Sequence, residues 1–198
     1  GVCEWGGTGE CRVEGGGCGG AGPPDGREGC VSGSDELAVC IGLSAGGVPV
    51  AGVVYAPALH RLYIGGTSAY RLDVASDDVV RPEALRPIHV RQAPADGWHA
   101  VASRSHLDPD TKRWIEQHRI ARLCHAGSSL KFCTIAEGEA DVYPRLGPTM
   151  EWDTAAGHGV LLAAGGRVTD LDGRPMRYGK PQFRNGSFVA WGAVGKGP

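Results

Sequence analysis

The segment Glu151-Trp152-Asp153-Thr154-Ala155-Ala156-Gly157-His158 constrains this chain most: a carboxylate and an aromatic anchor precede a helix of residues too small to hold neighbours away. That helix is expected over residues 154–164, with Ala155, Ala156 and Gly157 permitting close approach and Trp152 serving as packing. Its first turn offers free backbone N–H groups and the positive end of a dipole, which favour an anion. Asp153 can hold a divalent cation there, although an isolated aspartate before such a helix would more simply cap it. Upstream, Gly127-Ser128-Ser129-Leu130-Lys131 sets small donors in a turn ahead of a cation. This is either a resting place for phosphate or a capped helix start with a solvated lysine. Arg145 has two readings as well, a surface pair with Glu139 or Asp141, or guanidinium recognition of phosphate or ribose.

Residues 1–33 differ from the rest: thirteen are glycine and no helical or strand period emerges. Such a stretch is not expected to offset the entropy of ordering itself. From residue 37 the pattern changes, and residues 37–43 and 48–55 predict strands joined as a hairpin through Ala45-Gly46-Gly47. A third strand is expected at 62–65, then an edge strand and linker over 68–87, which makes 34–87 one unit and 88–198 a second. The second unit predicts a buried strand at 99–103, then a helix with Asp108 as cap, Pro109 in the first turn and Ile115 inward. A short strand at 122–124, a helix capped by Ser128 or Ser129 and running to Glu137, and a strand at 140–143 follow. The helix at 154–164 and closing strands at 168–170 and 188–191 complete an α/β layered unit.

Composition narrows the function classes. The chain of 198 residues, 41% hydrophobic, can bury a core as one domain or two small ones. A net charge of -2 and a pI near 6.4 argue against a nucleic acid polymer as partner and for a small phosphorylated metabolite. No apolar run approaches the roughly 18 residues that span a bilayer, and no secretory signal is evident. Cytoplasm is therefore the expected location, with peripheral attachment at the inner face of the membrane left open. Of seven cysteines, Cys3, Cys11, Cys18 and Cys30 fall early, at spacings that fit no paired zinc pattern. Cys124 and Cys133 flank the Gly127 turn and read as small hydrophobes.

GSSLKF, YPR-x-GPT and EWDTAAGH occur in this order between residues 127 and 158. Together they resemble the lithium-sensitive, magnesium-dependent phosphatase superfamily that includes inositol monophosphatase, and within it the CysQ-type 3'(2'),5'-bisphosphate nucleotidases. The resemblance continues more weakly from residue 37 to 191. It implies an αβαβα sandwich with an incomplete N-terminal layer, so that the hairpin exposes an apolar face and invites self-association. It further implies that Asp153 binds Mg2+ and positions the attacking water or a substrate hydroxyl. Gly127, Ser128, Ser129 and Lys131 would hold the uncleaved phosphate, and Arg145 would contact phosphate or ribose. His106, in Ser103-Arg104-Ser105-His106, would stack on the adenine, where a lone loop histidine is otherwise solvated. The family's D-P-x-D-G-T metal segment aligns with Gly22-Pro23-Pro24-Asp25-Gly26-Arg27, which makes Asp25 a catalytic and metal-binding candidate with Pro24 beside it. Gly22 stands where the first aspartate belongs, the threonine is missing, and no Glu-Glu pair precedes, with only Glu10 and Glu14 near.

The implied activity is removal of the 3'-phosphate of adenosine 3',5'-bisphosphate, giving AMP and phosphate in sulfur-assimilation metabolism. Two alternatives stay open: a catalytically impaired nucleotide-binding remnant, and a phosphatase of inositol or fructose phosphates.

Overall fold

The computed structural model describes residues 12–13, 17–21, 37–74, 81–103, 107–127 and 129–193. Two large sheets with helices between and beyond them, and a small two-stranded ribbon, make up the described residues. The first sheet is an antiparallel meander in chain order: β1 (Arg12–Val13), β2 (Gly17–Ala21), β3 (Val39–Ala45), β4 (Val48–Ala56), β5 (Arg61–Gly65), β6 (Ala69–Asp73) and β7 (Arg86–Pro87). The expected hairpin is β3 and β4, turned through Gly46 and Gly47, both with positive φ. The glycine-rich start, which carries no strand period, nonetheless supplies β2, whose Gly17 to Ala21 pair with Ala45 to Ile41. Backbone pairing with an adjacent strand replaces the side-chain pattern that the segment lacks.

The second sheet has the order β12-β14-β10-β8-β9, from β8 (Trp98–Ala102), β9 (Ile120–His125), β10 (Val142–Arg145), β12 (Arg167–Thr169) and β14 (Phe188–Trp191). A two-stranded ribbon, β11 (Thr149–Met150) with β13 (Arg184–Asn185), stands apart from it. Helix α1 (Pro109–Gln117) starts at Asp108, whose side chain accepts from Thr111 N as a cap does. The buried residue of α1 is Thr111; Ile115, expected inward, is half-buried. Helix α2 (Leu130–Ala136) and helix α3 (Ala155–Ala163) pack on each other, and α3 also contacts β3, β4 and β5. With no polar face, α3 is a helix for the middle layer.

What seats α3 is a row of glycines. Gly20 pairs with Gly42, Gly42 with Gly52, and Gly52 with Gly65, so four neighbouring strands lack a side chain along one line. A Cβ on Gly52 would lie 2.0 Å from Ala156 O, and one on Gly65 2.5 Å from Val160 Cα. In return, Gly159 lies over Ala51 and Gly157 over the Phe132 ring of α2. The main core then runs from Val54 and Tyr63 through Phe132, Ile135, Val160 and Leu161 to Val101, Tyr143 and Phe188. Residues one position along the same strands, Ala100, Val142 and Val189, face the other way and pack with Trp98, Trp114 and Trp191.

The layers are therefore sheet, helices, sheet, helix, and the outer face of the hairpin carries exposed Val39, Ile41, Leu43, Val48 and Val50. This is the exposed apolar face expected on the hairpin from the sequence. Among the described residues no helix is long and apolar enough to cross a membrane.

Candidate functional site

Strands β8, β9 and β10 run parallel, with β8 in the middle. The chain goes outward from β8 through α1 to β9, then returns through α2 to β10 on the far side of β8. Connections of one hand place those helices on opposite faces and open a crevice at the carboxyl ends of the strands. Ser103, Gly127 and the loop after Arg145 all leave from that edge. Topology thus collects segments that are far apart in sequence.

Asp153 closes a 3-10 turn, Glu151–Asp153, just before α3. It does not occupy the N-cap of α3, which is Thr154; its Oδ2 instead accepts from Met150 N at 2.8 Å. Ser129 stands at the N-cap position of α2 without capping. Its buried hydroxyl donates to Asp153 O at 3.0 Å and accepts from Cys40 Sγ at 3.2 Å. The glycine-serine turn and the carboxylate turn are in this way one bonded unit. Lys131 is only 4% exposed, with Nζ 5.3 Å from the centre of the Tyr143 ring. The solvated-lysine reading fails on that burial. Gly127 is buried and its carbonyl accepts from Leu130 N at 3.2 Å.

A polar cluster under the turn had no assigned role in the sequence. Buried Glu151 accepts from Gly179 N at 2.8 Å, Lys180 N at 3.0 Å and Lys180 Nζ at 2.6 Å. Thr154 Oγ1 donates to Glu151 O and accepts from Tyr178 OH and Asn185 Nδ2, which uses its one proton and both lone pairs. Because Tyr178 gives its proton to Thr154, His158 Nδ1, 3.0 Å away, must carry a hydrogen and donate to Tyr178. Burial, followed by the Lys180 charge, pulls the His158 imidazole down to about 3, so it is neutral at pH 7. Burial also raises the Tyr178 hydroxyl well above its ordinary range. Residues 177–185 have no periodic signal, and nothing in the sequence pairs them with Glu151.

Arg145 ends β10. Its Nη2 donates to Pro148 O at 3.2 Å, and its buried Nε has no protein acceptor. Asp141 is not its partner: that carboxylate is buried and grips Arg91 at 2.9 and 3.0 Å and His99 N at 2.7 Å. The loop after Arg145 is tied to α1 instead. Gly147 N donates to Asp108 Oδ2 at 3.2 Å, and Leu146 N to Thr111 Oγ1 at 2.9 Å. Burial alone would raise the Asp108 carboxyl; bonds from Thr111 and Gly147 and the charge of Arg145 outweigh it and hold it below its usual value.

Of the sequence-predicted site residues, the structure joins Ser129 and Asp153 directly, with Gly127 in the turn just before Ser129 and Lys131 and Arg145 on adjoining elements. Pro24, Asp25, His106 and Ser128 lie outside the described residues. Among the described residues no three His, Cys, Asp or Glu side chains converge as a metal cluster.

Residues 23–193 match the inositol monophosphatase family. The chain belongs to that family. It is 38% identical over 168 residues to the 3'(2'),5'-bisphosphate nucleotidase CysQ of Shigella flexneri, and 38% over 168 residues to that of Escherichia coli K12. Each alignment covers 84% of this chain and 64% of the relative, so the chain spans less than two thirds of these curated relatives. The crystal structure of CysQ from Bacteroides thetaiotaomicron superposes with a TM-score of 0.79 at 38% identity, covering 89% of this chain and 70% of that one. The inositol monophosphatase fold expected from the three motifs is thus the fold present, and the resemblance to the CysQ branch holds across most of the chain.

Proposed function

We propose that the chain carries the site of a magnesium-dependent phosphatase that removes the 3'-phosphate of adenosine 3',5'-bisphosphate, giving AMP and phosphate in sulfur-assimilation metabolism in the cytoplasm. What carries this reading is the 38% identity to nucleotidases named CysQ over 84% of the chain. The bonded Ser129–Asp153 unit gives it a physical basis, since it links the anion-binding turn to the cation-binding one.

The residues present fit a magnesium ion in a limited way. Mg2+ is commonly held by one or two carboxylates together with substrate phosphate oxygens, and Asp153 offers one half-buried carboxylate at the edge where the strand ends converge. Asp25 and Pro24 complete the proposed ligand set. Bound there, the ion supplies Lewis-acid neutralisation of charge building on the phosphoryl oxygens. The protein's own part is positional. The Gly127–Ser129 turn and Ser128 hydroxyl hold the phosphate that is kept, and buried Lys131 adds a charge little screened by water. Arg145 and His106 orient the ribose and base, and Asp153 accepts hydrogen bonds from the attacking water or a substrate hydroxyl.

The test is phosphate release from adenosine 3',5'-bisphosphate with magnesium, beside inositol and fructose phosphates. Turnover should fall in Asp153→Asn by more than the roughly 10–100-fold typical of losing an outer-shell partner. Faster release from the sugar phosphates would sink the substrate assignment. A second reading, nucleotide binding without turnover, is favoured by one observation in the sequence: Gly22 stands where the family's first metal-binding aspartate belongs, and no Glu-Glu pair precedes it. Tight nucleotide binding with no phosphate release would select it.

A further inference from the structure

The loop that follows Arg145 is held from outside, and the holder has no part in the proposed chemistry. Asp108 accepts from Thr111 N at 2.9 Å, from Thr111 Oγ1 at 2.5 Å and from Gly147 N at 3.2 Å. Thr111, 2% exposed, uses its oxygen to accept from Leu146 N at 2.9 Å. The first turn of α1 thus takes both backbone amides that follow Arg145. A helix cap needs only the Thr111 N bond; the bonds to residues 146 and 147 are surplus to capping. Gly147 belongs to the same arrangement, because a Cβ there would sit 3.0 Å from Asp108 Oδ2.

With the loop curled back, Pro148 O receives Arg145 Nη2, while Arg145 Nε is buried without a protein acceptor. Guanidinium recognition of an oxyanion uses a rigid, planar fork, and its strength depends on that plane being fixed before the ligand arrives. A donor already desolvated and lacking a partner gains most from the missing oxygen.

We propose that Asp108 and Thr111 are positioning residues that clamp Leu146 and Gly147 and so preset the Arg145 guanidinium for an anionic oxygen of the ligand. This rests on the nucleotide reading above and adds to it a determinant of affinity in α1, which touches no ligand. The clamp acts on ligand capture and leaves the Asp153 turn, which is held by Ser129 and Met150 N instead, in place.

The experiment measures binding of adenosine 3',5'-bisphosphate and of inorganic phosphate by calorimetry, with amide exchange at Leu146 and Gly147. The proteins are wild type, Asp108→Ala, Thr111→Val, Thr111→Ser and an Arg145→Lys control. Asp108→Ala and Thr111→Val should weaken the nucleotide about 10-fold, or 1.4 kcal/mol, and speed exchange at both amides. Thr111→Ser, which restores the hydroxyl, should bind as wild type does. Where turnover is measurable, KM should rise with kcat within about twofold, a split that a stability defect does not produce. Wild-type affinity and exchange in Asp108→Ala and Thr111→Val would overturn the clamp and leave the nucleotide reading intact. Binding of phosphate but not nucleotide, weakened by Asp108→Ala, would keep the clamp and remove the nucleotide. A wild-type chain binding neither would remove both. Thr111→Val, which keeps volume and the Asp108 cap bond to Thr111 N, separates the clamp from a folding defect in Asp108→Ala.

Discussion

His158 shows how burial at a single residue turns into a pH response. In the unfolded chain its imidazole takes a proton near 6.5, whereas in the folded protein burial and Lys180 delay that to about 3. Between those values the unfolded state binds the extra proton, so stability is fully present above 6.5 and declines as pH falls, by up to ~1.4 kcal/mol per pH unit. Urea unfolding of wild type and His158→Phe between pH 7 and 4 should show that part of the slope vanish in the variant. Equal slopes would mean that His158 contributes nothing to acid sensitivity. The role is invisible in sequence, where His158 is merely the last residue of a motif and its partner Tyr178 is twenty residues away. The place of Asp153 just ahead of α3 was legible because motif and helix start coincide. Glu151 was not, because its partners, Gly179 N and Lys180 N, are backbone groups that any residue other than proline could supply.

Among elements, α3 and the first sheet meet backbone to backbone. Gly52→Ala places a methyl 2.0 Å from Ala156 O, and since neither backbone can turn aside as a side chain would, α3 must lift. The expected loss is at least ~3 kcal/mol, the upper part of the range for overpacked cores. Gly66→Ala, with nothing within 4 Å, should change stability by no more than about 0.5 kcal/mol. Thermal unfolding of the two variants decides this, and similar midpoints would show that the close contact carries no energetic weight. The β3–β4 hairpin was readable because alternating residues and a glycine turn are local signals, as were α1 and α3. Strand β2 was not, since its order comes from pairing with β3. The match of Gly42, Gly52 and Gly65 across three strands likewise depends on register, which no single segment contains.

At the scale of the whole molecule, the hairpin turns an apolar face outward, with Ile41 52% and Val50 46% exposed. A contiguous apolar face of this kind favours association. Sedimentation should show concentration-dependent self-association of the chain at tens of micromolar, abolished by combining Ile41→Lys with Val50→Lys. A wild-type chain that stays monomeric throughout would contradict this. The carboxyl edge of the parallel strands, by contrast, gathers Gly127, Ser129 and Arg145 through connections of one hand, and the Ser129 bond adds the Asp153 turn, a consequence of strand order that no local stretch encodes. The glycine row then has a bearing on how this lineage can change. Most cores drift by small exchanges of volume, each answered by a neighbour, and a nearby site can be retuned in steps. Where α3 rests on Gly52 and Gly65 there is no side chain to trade, so the seat of the helix that follows Asp153 is either inherited intact or lost at once.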